Sequence, residues 1–328
     1  GRYEWQGFFA KDMLPSSFNP EEGFFATANE FNLPEGYPAE ERKVAFEWTD
    51  PSRVTRIKEV LRADPKVSLL DSMRLQTDAV SPQARRVVKL LDRTVAMQRD
   101  AYVDQAVKLL TAWDGHESID SAAAAIYETW AVKHLGRAVV GRVSPEAVRE
   151  MIGSGHLEAV VAYLEAPDTR LGANPIAGRN DVMLDSLEAA LDELKQRLGP
   201  DMATWSWGRL HTAKWEPAIG VLASPEVAAQ MNVGPLATPG SSSTPRAQTW
   251  RPSDFGVTAG ASVRFVFDVG AWDNSVFINT PGQSGDYTSS HYRDLFPLWA
   301  EGGYAPLPFS REAVDRAAKR VISLKPAG

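Results

Sequence analysis

Residues 23–38 read GFFATANEFNLPEGYP. The apolar, aromatic run from Gly23 to Ala28 is the best strand candidate in residues 1–50, and it stops on a carboxamide, Asn29, ahead of the turn formers that follow. Two readings of Asn29 stand side by side. One makes it turn punctuation; the other makes it a hydrogen-bond donor aimed at something. Just beyond, TDPSRVTRIKEVLRAD at 49–64 predicts a helix with Asp50 as N-cap, Pro51 at the first helical position, and Val54, Ile57 and Leu61 on one face. That places Arg53 in the first turn, where the helix dipole disfavours a cation by about 0.3–1 kcal/mol. Either a surface ion pair with Glu47 or Asp50 holds it there, or the guanidinium orients a buried polar group.

The helical pattern continues to about residue 229, through LLDSMRLQTD, QARRVVKLLDRTV, AYVDQAVKLLTAW, SAAAAIYETWAVKHL, SPEAVREMIGSG and DVMLDSLEAALDELKQRL. In the last, Leu184, Leu187, Leu191, Leu194 and Leu198 recur at the spacing of one buried helical face. Residues 232–260 are rich in Gly, Pro, Ser and Thr and read as a long connection without regular structure. ASVRFVFDVG and NSVFINTPG follow as paired strands, and the alternation of Val263, Phe265, Phe267 and Val269 predicts one buried face. SSHYRDLFPLWAEGG predicts a helix burying Tyr292, Leu295, Phe296 and Trp299, shortened or kinked by Pro297. The expected organisation is a strand-containing portion at 1–50, a mainly helical region at 51–231, a connection at 232–260, and strands with a helix at 261–328. This order predicts an α+β architecture with a large helical insertion.

Composition narrows the function classes. The 328 residues carry a formal net charge of −7, which argues against a nucleic-acid groove or an anionic membrane surface. No cysteine is present, so disulfides, thiolate nucleophiles and cysteine-ligated zinc are excluded. No apolar stretch reaches the roughly 20 residues that span a bilayer. Phosphate-loop, dinucleotide, zinc-protease and nucleophile-elbow motifs are absent, so no catalytic cofactor is expected. The five histidines, His116, His134, His156, His211 and His291, have no metal-pair spacing and read as structural. Asp114, Glu117 and Asp120 in WDGHESID lack the EF-hand pattern and read as a solvated loop. Ten tryptophans, and Asp268 with Asp273, raise a carbohydrate-active module as an alternative, although a Trp-rich core and turn aspartates are the commoner explanation. A non-catalytic helical interaction protein is a further alternative. Trp5, Phe8 and Phe9 are too apolar for a free terminus, so the chain is expected to derive from a longer one.

Four stretches in order, GRYEWQGFFAKDMLPSSFNPEEGFFATANEFNLPEGYP, FEWTDPSRVTRIKEVL, LLTAWDGHESIDSAAAAIYETW and INTPGQSGDYTSSHYRDLFPLWAEGGYAPLPFS, resemble the β-subunit of the penicillin acylases. These are N-terminal-nucleophile hydrolases that cleave amide bonds. Residues 137–258 are the least family-like. The resemblance implies part of an αββα sandwich, hydrolysis of a linear N-acyl amide, Asn29 as the oxyanion-hole asparagine, and Arg53 as the active-site arginine that orients Asn29 and lends positive potential. It also implies a structural calcium drawing one carboxylate from near Glu40, its other ligands lying outside this chain. The family's nucleophile is a serine at the mature β-subunit N-terminus, with its own α-amine as base. Gly1 cannot serve, and the resemblance places the start of this chain inside the β-subunit. The expected partners are therefore the rest of that subunit, an α-subunit and a small N-acyl substrate. Periplasmic or secreted location and autoproteolytic processing are implied in the same way. The chain alone is expected to expose sheet edges and to be inactive.

Overall fold

A computed structural model describes residues 4, 7–64 and 66–326; Gly1 and Trp5 lie outside the described residues. Helices dominate from residue 52 to 198: α1 (Ser52–Ala63), α2 (Leu69–Gln76), α3 (Pro82–Lys89), α4 (Arg93–Ala96), α5 (Ala101–Thr111), α6 (Ala122–Glu128), α7 (Gly136–Val143), α8 (Glu146–Ile152), α9 (Leu157–Glu165) and α10 (Pro175–Leu198). Their starts follow local chemistry. Ser68, Ser81, Asp100, Ser121 and Asn174 each accept a first-turn N–H at the N-cap, and prolines open α3 and α10. A π-helical turn, Thr129–Leu135, joins α6 to α7 without a break. Against it lies α10, with Trp130 donating to Ser186 Oγ at 2.9 Å. The leucine face read from the sequence, Leu184 to Leu198, is buried there.

Three short α-helices, α11 (Pro225–Met231), α12 (Phe296–Ala300) and α13 (Arg311–Ala317), and small antiparallel sheets complete the architecture. β1 (Thr212–Trp215) pairs with β2 (Val233–Ala237), and β3 (Thr249–Trp250) pairs with β4 (Val257–Ala259). β5 (Val263–Val266), β6 (Val276–Asn279) and β7 (Ala305–Pro306) form a third sheet in that order, with Phe265 opposite Phe277. The α+β class expected from the sequence is the class observed. Among the described residues no helix is long and apolar enough to cross a membrane.

Three local expectations change. Gly23–Ala28 forms no strand, and among the described residues its backbone pairs with no other strand; Ala28 and Asn29 reach a neighbour at Thr49. Segment 232–260 holds β2, β3 and β4, and it buries Thr238, Ser241, Thr244, Arg246 and Gln248 instead of running irregularly over the surface. The buried face of β5 carries Arg264, not the predicted Val263, Phe265 and Phe267, which are exposed together with Val269. Arg264 turns inward because its guanidinium reaches the Trp299 carbonyl, at 2.7 Å, near the C-terminus of α12, where cations are favoured. The opposite face borders an open cavity of about 610 Å³, walled by Leu75, Val263 and Phe265. Pro297 confines the predicted last helix to the five residues of α12, yet Tyr292, Phe296 and Trp299 are buried as expected.

Candidate active site

Asn29 has a φ of 68°, in the left-handed region that Asn tolerates better than most side chains. The turn is tied on both sides. Thr49 N donates to Asn29 O at 2.9 Å, Thr49 Oγ1 donates to Ala28 O at 3.1 Å, and the buried Glu30 carboxylate accepts Ala28 N at 2.7 Å. Phe31 meets Trp48 edge-on, with ring centroids 5.2 Å apart. These contacts fasten the exposed 24–32 segment to the start of α1.

α1 begins at Ser52, one residue later than the sequence suggests, and Asp50 still accepts the Ser52 N–H at 2.9 Å. Arg53 therefore sits in the first turn. The expected ion pair with Glu47 or Asp50 does not form, and among the described residues Arg53 pairs with no carboxylate. Its Nη2 donates to Asn29 Oδ1 at 2.9 Å and to Thr49 Oγ1 at 3.3 Å. Neutral acceptors leave its positive potential uncancelled.

This contact decides the carboxamide's orientation. A guanidinium only donates, so the face of Asn29 toward Arg53 must be its oxygen. Nδ2 is thereby turned away, and among the described residues it meets no acceptor. The two side chains line an open cleft of about 420 Å³ with Ala28, Asn32, Trp48 and Ile57. A cation drawing electron density from Oδ1 polarises the amide and strengthens its remaining N–H as a donor. The arrangement is suited to an oxygen that becomes negative.

Glu40 is the third residue singled out by the sequence. Its carboxylate is exposed and faces Lys43 at 3.5 Å. Among the described residues no group of three or more His, Asp or Glu could hold a metal, so this chain's residues do not assemble a calcium site around it.

The family model for penicillin amidase matches residues 1–316. The chain belongs to the penicillin amidase family. It is 26% identical over its whole length to the acyl-homoserine lactone acylase QuiP of Pseudomonas aeruginosa, and 28% identical to the penicillin acylase 2 proenzyme of Pseudomonas sp. strain SE83, covering 42% of each. The Escherichia coli penicillin G acylase aligns with 62% of the chain at 26% identity, over 28% of its own length. In fold, the chain superposes on the thermostable penicillin G acylase of Alcaligenes faecalis with a TM-score of 0.59 and 18% identity, covering 99% of this chain and 61% of that one. The family's fold is thus present here in part, and the chain spans about two-fifths of the length of these curated relatives.

The carbohydrate reading fails on placement. Trp130, Trp205, Trp207, Trp250 and Trp299 are core residues. Asp268 accepts Asn274 Nδ2 at 3.1 Å and then Ala271 N and Gly270 N within its own turn, while Asp273 accepts Ser310 Oγ at 2.6 Å and Ser310 N at 2.8 Å ahead of α13, and these bonds lower both carboxyls below the usual range. His211 is buried against Trp207, and desolvation lowers it to about 4. Sequence reasoning missed Glu117 and Glu128. The first was read as part of a solvated loop, yet both are fully enclosed. The helical spacing held a signal for Glu128, which lies four residues after Ala124 and three before Ala131 on the buried face.

Proposed function

We propose that the chain supplies the oxyanion-binding part of an amidohydrolase acting on a linear N-acyl amide. The support is the Arg53–Asn29 contact, which leaves one polarised N–H free in an open cleft. In this reading a serine hydroxyl at an N-terminus elsewhere in the enzyme adds to the amide carbonyl carbon, and its proton passes to the α-amine. The carbonyl oxygen takes the charge and receives Asn29 Nδ2–H. Collapse breaks the C–N bond, the amine leaves with that proton, and water then hydrolyses the acyl ester. Arg53 holds the carboxamide and adds positive potential without touching the reacting atoms. The relatives' names suggest an N-acyl homoserine lactone or a β-lactam side-chain amide as substrate, and a periplasmic or secreted setting belongs to the same proposal.

The test is Asn29→Ala in the full-length processed enzyme with a chromogenic N-acyl substrate. Loss of one such donor lowers kcat by roughly 10²- to 10³-fold, with KM little changed. Unchanged turnover would remove the assignment.

A further inference from the structure

The segment around Glu117 is stitched between two others. Glu117 N donates to Ala79 O at 2.8 Å, and Gly240 N donates to Glu117 O at 2.9 Å. Its side chain enters the core at 0% exposure, beside Glu128 at 1%. Glu128 accepts Trp250 Nε1 at 2.7 Å, while neither Glu117 oxygen has a hydrogen-bond partner among the described residues. Among the described residues the polar groups acting on the pair are Ser241, Ser81, the Trp250 indole N–H and the Tyr127 hydroxyl, with Asp50 acting on Tyr127 from beyond, and none of these is a cation. Two adjacent carboxylates in a dry interior cannot both stay ionised without a counter-charge. Burial pushes Glu128 up to about 7 and Glu117 well above its ordinary range.

From this pair a buried polar relay runs to the active-site helix. The geometric link is through the main chain: Gly240 N donates to Glu117 O at 2.9 Å, and next to it Ser241 Oγ accepts Ser243 N at 3.2 Å. Ser243 Oγ donates to Gln83 Oε1 at 3.0 Å, and Ser243 O accepts Ser52 Oγ at 2.8 Å. Gln83 N in turn donates to Ser52 Oγ at 3.3 Å. Ser241, Ser243, Gln83 and Ser52 are all buried, and Ser52 immediately precedes Arg53.

We propose that Glu117 and Glu128 form a proton-sharing carboxyl pair that sets the position of Arg53 through Ser241, Ser243 and Ser52, and so holds the oxyanion donor Asn29 in place. Both are positioning residues for the reaction, and the proposal rests on the reading of Asn29 given above. The shared proton keeps one carboxyl as a neutral donor and the other as an acceptor, so the serine loop 240–244 is clamped without a cation. Removing that clamp loosens the first turn of α1, and the Arg53–Asn29 contact loosens with it.

The experiment is a double-mutant cycle in the full-length processed enzyme, read by kcat and KM. Glu117→Leu is expected to lower kcat about tenfold with KM within about twofold, and Glu117→Gln, which keeps a neutral donor, to restore most of that loss. In an Arg53→Ala background Glu117→Leu should cost less than about twofold, because the group it acts through is gone. Should the leucine variant fail to fold, Ser243→Ala replaces it, with about a threefold loss that likewise disappears in Arg53→Ala. Effects that multiply in the Arg53→Ala background, or a folded leucine variant with unchanged kcat, would overturn the proposal. So would a stoichiometric metal ion present in the wild type and lost in Glu117→Gln. If Asn29→Ala abolishes turnover while the Glu117 series has no effect, only this inference falls; if Asn29→Ala is active, the parent reading falls first.

Discussion

The cleft holding Asn29 and the helical body around α10 are built on opposite terms. Asn29 lies on an exposed segment with no regular structure between residues 14 and 51, fastened by a few hydrogen bonds and one aromatic contact. The helical body buries Trp130, Leu187 and Trp207 completely, and the two indoles donate to Ser186 Oγ and Gly240 O. Burial holds the second region in place by many small contacts, whereas the first depends on a few directional ones. In the role proposed for Asn29, a donor that meets a reacting oxygen has to remain reachable, and a reachable group cannot be held by burial. The relay proposed from Glu117 to Ser52 would let the closed region lend its rigidity to the open one.

The comparison breaks most visibly under core truncation. Leu187→Ala, deep in α10, should destabilise by about 2–5 kcal/mol, seen as a lower thermal midpoint, while kcat of the folded enzyme stays unchanged. At Asn29 the opposite holds. Asn29→Gly and Asn29→Ala should both lose roughly 10²- to 10³-fold in kcat, yet glycine, free at φ 68°, should leave the protein about 1 kcal/mol more stable than alanine does. Equal stabilities would mean the turn does not hold that conformation. Arg53→Ala removes a charged hydrogen bond worth about 1.5–3 kcal/mol, so kcat should fall by roughly 10- to 150-fold. Arg53→Lys should recover part of this, a point charge replacing a planar fork. Full recovery would reduce the arginine to its charge.

The smallest effect is a pH dependence that belongs to the closed region. Glu128 in the folded protein titrates near 7, above its ordinary 4.5, because burial favours the protonated form. Its contribution to stability is complete below the lower value and is lost as pH rises through the higher one. His211, lowered to about 4 by burial, acts in the reverse sense, losing its contribution as pH falls. Measuring thermal midpoints of wild type against Glu128→Gln cancels the histidine. The wild-type advantage should shrink from about pH 5 to pH 7 and level off above that; a constant difference would place Glu128 outside this titration.

Much of this protein could be read before folding. The start of α1, its apolar face, the leucine stripe of α10, the β5–β6 pairing and the shortening at Pro297 all depend on residues within a few positions of each other, and local sterics and capping act at that range. Asn29 and Arg53 could be singled out as well, one as a carboxamide closing an extended run and the other as a cation in the wrong turn of a helix. Spacing alone did not pair them; only the resemblance implied that Arg53 orients Asn29. Arg53 had Glu47 and Asp50 nearer in sequence and took Asn29, 24 residues away.

The amino-acid order alone determined the helices, their caps, the mixed architecture and the family. Tertiary structure decided that Arg264 rather than Phe265 faces inward, that Glu117 leaves its loop for the core, and that the oxygen of Asn29 accepts from a guanidinium 24 residues away. The reason is range. Propensity and capping are settled between neighbours, while burial and the choice among competing acceptors are settled by whichever distant segments the completed packing brings together.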